Sequence, residues 1–61
     1  MNELTLLKEE RKEIQAEIDR LRGSMNRADN GVKHARIAIL SRTVARLDRE
    51  IASLDDRRAS A

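Results

Sequence analysis

Apolar residues along this chain fall on one narrow stripe, then on a second stripe out of phase with the first. Leu4, Leu7, Arg11, Ile14, Ile18, Leu21 and Met25 are spaced alternately three and four apart, and so are Ile37, Leu40, Val44, Leu47, Ile51, Leu54 and Arg58. This is the spacing of a coiled-coil seam, which keeps one side of a helix apolar. Continuing the first stripe would predict Ala28, Val32, Ala35 and Ile39 rather than Ile37 and Leu40. One straight helix would therefore carry its seam onto another side, and the alternative is a turn between the stripes. Turn signals sit where the phase changes. Asn30-Gly31 is a strong turn dipeptide, Asp29 or Asn30 can cap a second helix, Gly23 can end the first, and Asn2 can start it.

Folding the chain about position 29 sets Leu21 against Ile37, Ile18 against Leu40 and Ile14 against Val44. It also sets Arg11 against Leu47, Leu7 against Ile51 and Leu4 against Leu54, each pair of numbers summing to 58. The sequence thus predicts an all-α, antiparallel helical hairpin as a single domain over residues 1–61. The first helix is expected at about 3–26, the turn at about 27–31, the second helix at about 32–57, with a short C-terminal tail. Two helices cannot enclose such a seam, so a homodimer forming a four-helix bundle is expected around Leu4, Leu7, Ile14, Ile18, Leu21, Met25, Ile37, Leu40, Val44, Leu47, Ile51 and Leu54. Arg11 interrupts the stripe. Either it is a boundary arginine with a packed stem and a wet head, or it fixes register with Asp48 as its available partner.

This layout resembles the small plasmid copy-control proteins of the Rop type, which are helical-hairpin dimers that bind RNA. It is also similar to small phage regulators that bind and disable a host transcription activator or repressor. The resemblance lies in length and layout, without a shared motif, and carries no functional residue across.

Composition agrees with association. The chain has no cysteine, no proline, no aromatic residue and two glycines, and 39% of it is charged. No disulfide is available, and the large-area core residues are missing, so a core of this size is marginal alone. No apolar run is long enough for a membrane span or a signal-peptide core, and a soluble, cytoplasmic protein is expected.

The second helix has a second side. At about 100° per residue, Val32, Ala35, Ala38 and Ile39 lie away from the seam, with Arg36, Arg42, Arg46, Arg49 and Arg57 around and beyond them. Wider stripes are normal in four-helix bundles, so this side can meet the second subunit. It can equally be a docking patch, since apolar centres edged by arginine suit interfaces. Val32, Ala35, Arg36, Ile39, Arg42, Arg46 and Arg49 are the candidate partner-binding residues. Leu6 is exposed on the first helix but isolated.

Charge is polarised along the hairpin. Residues 1–19 carry six acids and three bases, net −3; residues 20–46 carry seven bases and one acid, net +6; residues 47–61 carry four acids and three bases, net −1. The turn end is basic and the open end acidic, a field that can steer an acidic partner or contact phosphates. Local pairs such as Glu17 with Arg20, Asp19 with Arg22 and Arg46 with Glu50 can offset some of it.

Nothing points to catalysis, a metal or a cofactor. His34 is the single histidine, and no nucleophile, glycine-rich phosphate loop or ligand cluster accompanies it. The function expected is that of a small non-enzymatic regulator that binds and blocks a protein partner, such as a transcription regulator or other host protein. The alternatives are a Rop-like nucleic-acid-binding dimer, disfavoured by the low net charge and absent aromatics, or a structural coiled-coil module.

Overall fold

The computed structural model describes residues 2–25 and 30–60. Two helices, α1 (Glu3–Gly23) and α2 (Gly31–Ser60), pack against each other as an antiparallel hairpin. The molecule measures 52 × 18 × 11 Å. Its shortest dimension is about that of one helix with its side chains, so the hairpin is a single layer.

Each helix starts where a side chain or carbonyl can take up its free ends. The Asn2 side chain accepts from the Thr5 amide at 2.8 Å, capping α1. In α2 the Asn30 carbonyl accepts from the His34 amide at 2.8 Å. At the other end of α1, the Ser24 amide donates to the carbonyls of Arg20 at 3.0 Å and Leu21 at 3.3 Å, tightening the last turn. The ammonium of Lys33, reaching over from α2, donates to the Ser24 carbonyl at 2.7 Å and to its Oγ at 3.2 Å. A cation at a helix C-terminus satisfies carbonyls that have no helical partner and opposes the negative end of the helix dipole.

Helix α1 thus ends at Gly23, short of the expected 26, because Gly-Ser has poor helix propensity and Ser24 makes competing local bonds. Helix α2 begins at Gly31 and continues to Ser60, past the expected 57. No proline or glycine follows Gly31 to stop it. The expected turn residues up to 29, the alternative cap Asp29 and the seam side chain of Arg58 lie outside the described residues.

The core follows the seam. Leu4, Ile18, Val44 and Leu47 are buried, with Ile18 and Leu47 only 2% exposed. Leu7, Ile14, Leu21, Ile37, Leu40, Ile51 and Leu54 are half-buried, as is Met25, just beyond α1. Leu4 and Leu54 line one small apolar hollow at the open end, so they share a layer. At the layer of Leu47, Arg11 turns its guanidinium outward and donates from Nε to Oδ1 of Asp48 at 2.5 Å. Both side chains remain substantially exposed, at 39% and 51%. Arg11 is therefore a boundary residue, and Asp48 is its partner.

Candidate protein-contact surface

The ion pair between Arg36 and Glu17 defines one flank of the hairpin. Arg36 donates to Oε1 of Glu17 from Nε at 3.1 Å and from Nη2 at 3.0 Å. The two residues must lie on the same side of the plane through both helices. Residues three and four apart share a helix face. The row through Glu17 on α1 is therefore Leu6, Glu10, Glu13, Glu17, Arg20 and Ser24. The row through Arg36 on α2 is Val32, Arg36, Ile39, Thr43, Arg46 and Glu50.

This flank holds the three large apolar residues that stand in solvent among the described residues: Leu6 at 54%, Val32 at 73% and Ile39 at 55% exposed. Leu6, isolated in the sequence, is placed on the same flank as the other two by the fold. Of the candidate contact residues, Val32, Arg36, Ile39 and Arg46 lie together on this row. Ala35, Arg42 and Arg49, spaced seven apart, form the adjoining outer edge of α2, and all seven are exposed.

The α1 side of the flank is acidic. An open depression of about 560 Å³ runs along its outer surface, lined by Glu9, Lys12, Glu13, Ile14, Ala16, Glu17 and Arg20. Glu17 reaches across the hairpin to Arg36 rather than along its own helix to Arg20, and Asp19 accepts from the Gln15 side-chain Nε2 at 3.1 Å. An acidic α1 row thus lies beside an arginine-bearing α2 row.

The opposite flank, marked by Arg11 and Asp48, differs in kind. Its α2 row is His34, Ala38, Ser41, Ala45, Asp48 and Ala52, and it carries no large apolar residue.

Among the described residues, no group of three or more histidine, cysteine or acidic side chains is placed to hold a metal ion. No described helix is long and apolar enough to cross a membrane. Comparison with known proteins finds no matching family model, no similar curated protein and no similar solved structure.

Proposed function

We propose that this chain is a small non-enzymatic regulator that works by protein–protein contact. Hairpins pair into a four-helix bundle, and the arginine-edged outer face of α2 docks on a protein partner and acts by occupying that partner's surface. The observation that carries this reading is the breadth of exposed α2 surface off the seam, with Val32 and Ile39 on one flank and Ala35, Arg42 and Arg49 on the adjoining outer edge. Arginine next to exposed apolar side chains is the composition of a contact surface, since it adds planar hydrogen bonding and steering to apolar burial. A transcription regulator is the first target class to test, as the resemblance to small phage regulators implies.

The test is co-purification with the wild-type chain and with a variant carrying Arg42→Ala, Arg46→Ala and Arg49→Ala. A protein bound in stoichiometric amount by the wild type, and lost by a variant that keeps its helicity, supports the proposal. Recovery of one nucleic acid and no protein contradicts it.

A further inference from the structure

We infer that the Leu6–Val32–Ile39 flank is covered by a second copy of this chain running antiparallel to the first, its two-fold axis passing beside Thr43. This deepens the contact-surface reading and rests on it, assigning the apolar row to self-association and leaving Arg42 and Arg49 on the outer edge for another protein.

A single layer of helix is an unfinished domain, because stable domains bury an apolar face between two layers. The chain exposes 4720 Å². A compact monomer of 7.0 kDa would show only about 4000 Å². The flank that carries the large exposed apolar side chains is the one to cover.

The order of charges selects the occupant and its direction. In a face-to-face antiparallel pair, α1 lies over the second copy's α1, and α2 over its α2. The α1 row from Leu6 to Ser24 is centred on Gln15, and the hairpin register brings Gln15 level with Thr43. One axis at that level serves both helices. It sets Glu10 opposite the second copy's Arg20, and Arg36 opposite the second copy's Glu50, giving four unlike pairs per dimer. Along the bundle axis it also brings Leu6 within about 3 Å of the level of the second copy's Val32, which stands on the diagonally opposite helix, counting about 1.5 Å per residue. The basic turn end of each copy then lies over the acidic open end of the other. Glu13 meets the second copy's Glu17, but Glu17 already holds Arg36.

The parallel arrangement does worse. It stacks the two basic turn ends, brings Leu6 within about 3 Å of the level of Glu50 and Arg36 within about 3 Å of that of the second copy's Arg20, and sets Glu13 beside Arg46 as an unlike pair. Like-charge juxtaposition is what suppresses a wrong arrangement.

The absence of cysteine in this chain makes the test direct. A disulfide needs Cα atoms about 4.4–6.8 Å apart. Thr43→Cys lies at the proposed axis, and under mild oxidation in dilute solution it is expected to link to its own copy while staying helical. Ser53→Cys, about 30 Å from its counterpart along the axis, is expected not to link. A charge swap provides an independent readout. Arg20→Glu should weaken self-association about tenfold, and adding Glu10→Arg should restore it. Within one chain these residues stand about 15 Å apart on α1, so restoration can act only between copies. A Thr43→Cys variant that fails to link, or a swap that fails to restore, overturns the arrangement. If the wild type still associates, the contact-surface reading survives that failure. A wild-type chain that never associates also overturns the inference, and the face is then left to a different protein.

Discussion

Arg11 Nε and Asp48 Oδ1 meet at 2.5 Å across 37 residues of sequence, and this bond stands at the outer edge of the layer holding Leu47. The pair closes the hairpin where an apolar seam residue is missing. Exposed ion pairs contribute little, because water already solvates both charges and two long side chains must be ordered. Asp48→Ala is expected to cost less than about 1 kcal/mol in urea unfolding. Arg11→Leu should stabilise by on the order of 1 kcal/mol, since it continues the apolar stripe. A large loss in either variant would show that the pair fixes the register.

Leu47 is the opposite case. At 2% exposed it is the largest fully buried side chain among the described residues. Leu47→Ala is expected to cost roughly 2–5 kcal/mol through lost burial and the cavity left behind. A core of this size supplies only about 3–5 kcal/mol in all. The variant should therefore show little helix by far-ultraviolet circular dichroism at 25 °C.

These two residues also show what was legible in the sequence. The seam was, because apolar spacing reports helix and face together and the register follows from one midpoint. The partnership of Arg11 with Asp48 was foreseeable because Asp48 adjoins the facing seam residue. The Arg36–Glu17 pair was not, since flank charges have many partners within reach and only the fold selects among them. Leu6 shares that flank with Ile39 and Val32 but stands about 20 Å or more from both along the hairpin, so within one chain it remains isolated, as its sequence neighbours imply. The early end of α1 follows from Gly23-Ser24, and Lys33 reaching back from α2 to Ser24 adds a contact that local sequence does not reveal.

Gly23 offers a clean test of the end of α1. It is helical, and a Cβ added there would meet nothing within 4 Å. Gly23→Ala should raise stability by about 0.5–1 kcal/mol, because alanine loses less backbone entropy on folding. Thermal denaturation checks it. A fall in melting temperature would mean that the last turn needs the freedom of glycine.

The basic turn end invites a nucleic-acid control. If the arginines hold phosphates, affinity must fall steeply as salt rises, because each phosphate contact releases counterions. Fluorescence anisotropy with labelled duplex DNA and hairpin RNA at low salt is expected to show weak binding or none. Tight, salt-steep binding to one form would place nucleic acid ahead of protein as the partner.

The most direct test of the second side of α2 as a contact surface is the molar mass of the wild-type chain and of Ile39→Asp by light scattering at micromolar concentration. Ile39 is 55% exposed in the single hairpin, so within one chain the substitution costs little. Between two copies it replaces an apolar contact with a charge that must leave water, which costs a great deal even with the second copy's Arg46 near its level. The wild type is expected at twice the 7.0 kDa chain mass, and Ile39→Asp at the monomer mass with reduced helicity. Equal masses and equal helicity for the two proteins would contradict it.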